Sequence, residues 1–289
     1  MAIDRTLPLS AGIGLKPQHY RNVLGLDDDD GAHALPGWVE IHPQNYFCAG
    51  GPPHRWLAAI AEAYPISMHS VGLSLGSADG CDRAELDALA SLAERFPAAS
   101  ISDHLSWSGN AHDKLPDLLP IPYSRAALDS VAGEVSRVQD RLGRPILIEN
   151  PSRMLGYRGD AMDEAAFLTE LCRRTGCGLI LDLNNIVVSA TNVGLDPAAM
   201  ADAIDPELVG EIHLAGHARE EHDSGPLLID DHGSPVGDAA WALYRRFIAR
   251  AGPVPTLIEW DTNVPDYNVL IAEAAKADRI LEGAALVPA

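Results

Sequence analysis

The stretch PILIENPSRMLGYRGDAMDEAAFLTELCRRTGCGLILDLNN, residues 145–185, holds the reading that decides the fold. PILIEN (145–150) and GLILDLNN (178–185) are short aliphatic runs of the kind that form buried strands. Between them DEAAFLTELCRRTG (163–176) carries apolar residues at helical spacing and closes on Gly176, a residue suited to the left-handed end of a helix. Parallel neighbours need a crossover of this length, so the stretch reads as a β–α–β unit.

The same rhythm extends in both directions. AGIGL (11–15), WVEIH (38–42), PISMHSV (65–71) and ASISDHL (99–105) precede the unit, and GEIHLAG (210–216) and PTLIEWD (255–261) follow it. With the first two runs these make about eight strands, the closure number of a TIM (β/α)8 barrel. RAELDALASLAERF (83–96) and SRAALDSVAGEVSRVQDRLG (124–143) have helical period, a helix-prone piece lies near 17–25, and the tail 266–282 supplies an outer helix ending near Gly283. No linker divides two compositions and no repeat is visible, so the expectation is an α/β barrel formed as one domain over residues 1–289. Segments 106–122 and 217–236 lack clear periodicity and follow strands, which predicts loops over the barrel face where active sites form.

The formal charge is −20, which argues against partners gripped through phosphates, because that binding depends on Lys and Arg displacing counterions. Nucleic acid is therefore not expected. The run Asp27–Asp30 reads as a solvated acidic loop. No run of eighteen apolar residues and no basic-then-apolar leader occurs, so no membrane partner is expected. Cys48, Cys81, Cys172 and Cys177 form no CxxC pair, and a reducing cytoplasm is the expected compartment.

The strand ends carry the chemistry. His42, His69, His104, Glu149, Asp182, His213 and Glu259 each follow an aliphatic run at nearly the same place, so closure of the barrel brings them to one mouth. Buried carboxylates without a positive partner cost several kcal/mol each, and no Lys or Arg shares these positions apart from the nearby Lys16. Imidazole with carboxylate and no thiolate suits zinc, iron or manganese. In LLIDDHGSP, Asp230 and His232 have the spacing that puts both side chains on one side of an extended segment. The set His69, His104, Glu149, Asp182, His213, Asp230, His232 and Glu259 over-fills one six-coordinate ion, which implies two or three ions. Glu149 and Glu259 are the bridging candidates, since a carboxylate has two oxygens. His217, His222 and Asp223 lie near the loop pair without an assignment, and His19, His33, His54 and His112 read as surface or helix-end residues.

At these residues the chain resembles the multinuclear non-haem iron-dependent oxidative enzymes, the family of domain of unknown function 692. The resemblance rests on GIGLKPQHY (12–20), EIHPQNYF (40–47), SMHSVGLSLGS (67–77), SDHLSWS (102–108), LLPIPY (118–123), ILIENPS (146–152), DLNN (182–185), EIHLAGH (211–217), LLIDDHG (227–233) and PTLIEWD (255–261). It implies a barrel of the endonuclease IV and xylose isomerase type with two or three irons (Fe2+/Fe3+) at its mouth and O2 as co-substrate. On that resemblance His69, His104 and Glu149 hold one iron. Glu149, Asp182, His213 and Glu259 hold its neighbour, with Glu149, Asp182 and His213 at the catalytic centre. Asn185, Asp230 and His232 hold a third ion, with Asn184 as a rival to Asn185.

The implied activity is oxidative modification of cysteine residues in a ribosomally made precursor peptide, as in methanobactin- and bufferin-type pathways, to oxazolone/thioamide or thiooxazole products. A small peptide-presenting partner protein belongs to the same picture. Two positions depart from the family pattern, which often has glutamate at both: Gln44 and Asp103. Two other readings use the same constellation, a trinuclear-zinc apurinic endonuclease and a divalent-metal sugar isomerase or epimerase, and a metal-storage protein is a third. The acidic charge weighs against the first, and the scarcity of strand-end lysines against the second.

Overall fold

The computed structural model describes residues 3, 5–27, 34–109, 113–223 and 225–286. His33, His112 and the Asp28–Asp30 part of the acidic run lie outside them; Asp27 is exposed and pairs with Arg21. The strands are β1 (Ala11–Gly14), β2 (Val39–Ile41), β3 (Ile66–His69), β4 (Ser100–His104), β5 (Ser106–Gly109), β6 (Lys114–Pro120), β7 (Leu147–Glu149), β8 (Gly178–Asp182), β9 (Val209–Leu214), β10 (Ala218–His222), β11 (Gly225–Ile229) and β12 (Thr256–Ile258). Eight of them close a parallel barrel in the order β1-β12-β9-β8-β7-β4-β3-β2. The remaining four form two antiparallel hairpins, β5–β6 and β10–β11.

Local chemistry explains the ends of the outer helices. Ser124 and Asp163 cap Arg125–Leu142 and Glu164–Thr175 by accepting from the amides of Ala127 and Ala166. Gly143 and Gly176 then end these helices at φ 67° and 73°, a conformation that costs a side chain strain. At Gly12 the constraint is space: a Cβ would stand 2.4 Å from the buried indole of Trp38. The segment before β1 covers the far end of the barrel, where Arg5 donates to the carbonyls of Val209 and Pro253 at 3.1 and 3.0 Å.

Three expectations change. Residues 106–122 and 217–236 are mostly hairpins; Pro116 and Pro120 obscure a strand pattern, yet a two-stranded ribbon tolerates proline because one edge has no partner. The run 178–185 is strand only as far as Asp182, after which Leu183–Val193 is helix. The last helix passes through Gly283 to Ala285, and nothing crowds that glycine. His19 and His54 stand at helix ends, one of the two placements expected, and both are buried there, held by the carbonyls of Pro265 and Tyr46 at 2.9 and 2.7 Å. Among the described residues no helix is long and apolar enough to cross a membrane.

Candidate metal centre

Alternation along each strand and the register between strands assemble the site. Residues two apart point the same way, so β3, β4 and β9 each send a pair inward: Ser67 and His69, Ser102 and His104, Glu211 and His213. Parallel pairing sets His104 beside Glu149 and Asp182 beside His213. Asp182 is at once the last residue of β8 and the cap of the next helix, accepting from the Asn185 amide at 2.6 Å through Oδ1. Its Oδ2 is left without a partner and buried.

One carboxylate sits between two imidazole groups. Glu149 Oε2 lies 2.9 Å from His69 Nε2 and 3.3 Å from His104 Nε2, and its Oε1 lies 3.7 Å from His213 Nδ1. Glu259 is placed similarly, with Oε2 3.2 Å from His213 Nδ1 and Oε1 3.4 Å from His232 Nδ1. His232 Nε2 is 2.7 Å from Asp230 Oδ1. His232 holds a φ of 46°, uncommon for a residue with a Cβ and typical of strain kept at functional loops.

Of the two asparagines, Asn184 is engaged by Asp230 and His217, both at 2.7 Å. Asn185 keeps a buried Oδ1 with no partner. The structure thus brings His69, His104, Glu149, Asp182, Asn185, His213, Asp230, His232 and Glu259 to one mouth. His222 and Asp223 stand exposed on the second hairpin, away from it.

These donors could hold metal ions. His69, His104 and Glu149 place one ligand atom each within 4.8 Å of one another, and so do Glu149, Asp182 and His213, and Asp182, His232 and Glu259. Asp182 Oδ2 and Asn185 Oδ1 are buried without a hydrogen bond, while Glu149 Oε2, both ring nitrogens of His213, His232 Nε2 and Glu259 Oε2 face other members of the cluster at 2.7–3.7 Å. Buried polar atoms are rarely left so, and lone pairs converging at ligand distances suit hard or borderline cations.

Electrostatics agrees. Burial, with Glu259 and Glu40 nearby, pushes Glu149 well above the usual carboxylate range despite His213, and burial with Glu149 and Asp230 does the same to Asp182. Burial opposes charge on His213 and His232, but the carboxylates around them prevail and hold both well above the ordinary imidazole value. Burial depresses His69 and His104, leaving them neutral donors. Without a cation the cluster retains protons that ions would displace.

Sequence reading missed Glu40, Glu211 and Asp261. Glu40 and Glu211 are buried beneath the ring, each with an oxygen 3.5 Å from His213 Nε2. Asp261 binds Lys16 and lies 3.5 Å from His42. The first two carry a legible signal, the tripeptide Glu-Ile-His at 40–42 and again at 211–213. Gln44 donates to Glu85 Oε1 at 2.6 Å, so glutamate there would set two carboxylates against each other. Asp103 accepts from the Leu73 amide at 3.1 Å, and burial pushes it up to about 7. A groove of about 660 Å³ lies between the loop after β3 and the first hairpin, and none of these candidate ligands lines it.

Comparison with known proteins places the chain. L-ribulose 3-epimerase superposes with a TM-score of 0.59 at 16% identity, covering 95% of each chain. A xylose isomerase-like TIM barrel protein from Mycobacterium smegmatis, in complex with magnesium, gives 0.56 at 16% identity over 92% of this chain and 88% of its own. These show the fold. In sequence, a UPF0276 protein of Caulobacter sp. (strain K31) is 50% identical over 94% of this chain and 96% of its own. One from Chromobacterium violaceum is 48% identical over 96% and 97%. The profile described as RiPP precursor modification enzyme MbnB/TglH/ChrH matches residues 10–282, and the chain belongs to that family.

Proposed function

We propose that this chain binds two or three iron ions at the barrel mouth and uses dioxygen to modify cysteine residues of a ribosomally made precursor peptide oxidatively. The observation that carries the reading is Glu149, whose two oxygens stand between the His69–His104 pair and His213 with no Lys or Arg paired to them among the described residues. Membership of a family of precursor-modifying enzymes supplies the substrate class.

His69, His104 and Glu149 would hold one ion; Glu149, Asp182, His213 and Glu259 the next; Asn185, Asp230 and His232 a third. Iron would supply electrons to dioxygen and positive charge to a substrate thiolate, which zinc could do only in the second respect. The side chains hold position and charge. His69 and His104 are neutral donors, whereas the carboxylates on the Asp182 and Glu259 side bring negative charge to the adjacent position. His42, half-buried beside Asp261 at the rim, is placed to exchange a proton with a substrate group entering the mouth. A small partner protein presenting the peptide and a cytoplasmic setting complete the proposal, in which the barrel acts as one domain.

The test is anaerobic purification followed by metal analysis, then dioxygen uptake and peptide mass with a cysteine-containing precursor. Iron content above one ion per chain and a cysteine-dependent mass change are expected. Turnover with zinc alone, or nicking of abasic DNA, would overturn the proposal. The sugar-epimerase reading gains nothing at the rim, where the nearby lysine, Lys16, is already paired with Asp261.

A further inference from the structure

The layer beneath the mouth differs from an ordinary barrel interior, which is filled by branched apolar side chains. Here Glu40, Ser67, Ser102 and Glu211 are buried together below the histidines. Ser67 donates to Glu40 Oε2 at 3.0 Å, and its hydroxyl is 3.4 Å from Glu211 Oε2. One hydroxyl hydrogen cannot satisfy both acids, and Glu211 Oε1 accepts from no hydroxyl or amide among the described residues. The nearest imidazole nitrogen to that oxygen is His213 Nε2, at 3.5 Å. Across the barrel the corresponding contact is neutral: Ser102 Oγ is 2.8 Å from His69 Nδ1.

We propose that this floor sets which nitrogen of each histidine is presented upward, and that it does so with charge on one side and without it on the other. Glu211, with Glu40 beside it, takes the Nε2 hydrogen of His213 and turns Nδ1 toward Glu149 and Glu259. Ser102 engages His69 Nδ1 and turns Nε2 toward Glu149. A metal-bound imidazole whose far N–H meets a carboxylate is a stronger donor than one meeting a hydroxyl. The His213 half of the centre is therefore the more electron-rich half and favours the more highly charged ion. Glu40 and Glu211 are positioning residues, and the inference rests on reading His213 as a ligand.

The experiment is a cobalt(II) titration of the metal-free protein, wild type against Glu40→Gln, Glu211→Gln, the double variant, Ser102→Ala and His213→Ala. Each is accompanied by the melting temperature of the metal-free form and the midpoint potential of the iron-loaded form. Either glutamate can replace the other as acceptor, so the single changes should be mild. The double should weaken one cobalt ion by about 10- to 100-fold. It should also shift the potential positive, an effect that a merely structural loss would not produce. Ser102→Ala should leave the potential in place.

A double variant with wild-type affinity and potential, or one whose defect is only a lower melting temperature, overturns the proposal. So does an equal potential shift from Ser102→Ala. His213→Ala separates the two readings: if it binds as much cobalt as wild type, the metal centre itself is misassigned. If it loses an ion while the double variant behaves as wild type, the floor alone is.

Discussion

Glu149 and Glu164 belong to the same strand–crossover unit, and both carboxylates are buried, yet their surroundings are opposite. Glu164 accepts from the Tyr123 hydroxyl at 2.5 Å and faces the Arg153 guanidinium at 3.4 Å. That guanidinium also stacks 5.0 Å over the Tyr123 ring. The group borders a cavity of about 480 Å³ with Leu181, Ile186, Met162 and Met200 in its walls. Glu149 meets imidazoles, an asparagine and other acids. Glu164 is paired with a guanidinium of its own chain. Glu149 has only imidazoles and amides beside it among the described residues, on a cluster where several acids converge, and that surplus of carboxylates points to positive charge from outside the polypeptide.

The largest expected effect breaks the Glu149 side. Glu149→Ala removes the carboxylate shared between two positions, so iron content should fall at both and product formation should drop to background. Metal analysis and peptide mass spectrometry check it, and a variant with full iron and turnover ends the comparison. Adding metal ions to the wild-type metal-free protein should release protons, since Glu149, Asp182, His213 and His232 all lie above their ordinary values. Calorimetry in buffers of different ionisation enthalpy measures the number. Zero release would show that the cluster holds no protons for the ions to displace.

Next comes the Glu164 side. Arg153→Met leaves a buried carboxylate without its cation and should cost about 3–5 kcal/mol in stability, with metal content per folded chain unchanged. Burial already raises Glu164 above its ordinary value, and loss of Arg153 removes the opposing attraction. In the variant the native carboxyl therefore binds a proton more readily than the unfolded one. The stability loss should be full above the native value and shrink as pH falls toward the unfolded one. Denaturation at pH 8 and pH 5 tests the sign, and Arg153→Met/Glu164→Gln should recover part of the loss at pH 8.

The contrast also explains what could be read from the sequence. The barrel was legible because most of its strands are short aliphatic runs ended by a chemically distinct residue and several helices have capping signals, as Ser124 and Gly143 show. The mouth was legible for the same reason. The floor was legible only in part: the repeated Glu-Ile-His marks Glu40 and Glu211 two residues before a strand-end histidine, but only the pairing of strands reveals that both reach His213. The helix Leu183–Val193 was hidden because its cap, Asp182, completes an apolar strand without a break in composition. The helix-end placement of His19 and His54 was legible, but their burial was not, because a hydrogen bond to a backbone carbonyl, Pro265 or Tyr46, leaves no local pattern.

His54 supplies the smallest expected effect and the sharpest control on that last point. It is a buried imidazole outside the mouth, with Nε2 2.7 Å from the Tyr46 carbonyl and its ring edge-on to Phe96 at 5.5 Å. If burial of a histidine were enough to mark a ligand, His54→Ala would lower iron content as His69→Ala should. The ring has a backbone acceptor on one side and an aromatic on the other, and among the described residues no carboxylate is paired with it, so its role is to tie the helix Pro52–Ala63 to the turn at Tyr46. Losing the hydrogen bond and the packing should cost about 1–3 kcal/mol, read as a lower denaturation midpoint. Iron content and turnover per folded chain should stay at wild-type values. A drop in iron without a drop in stability would place His54 with the centre, and show that convergence on carboxylates does not separate the two kinds of buried histidine.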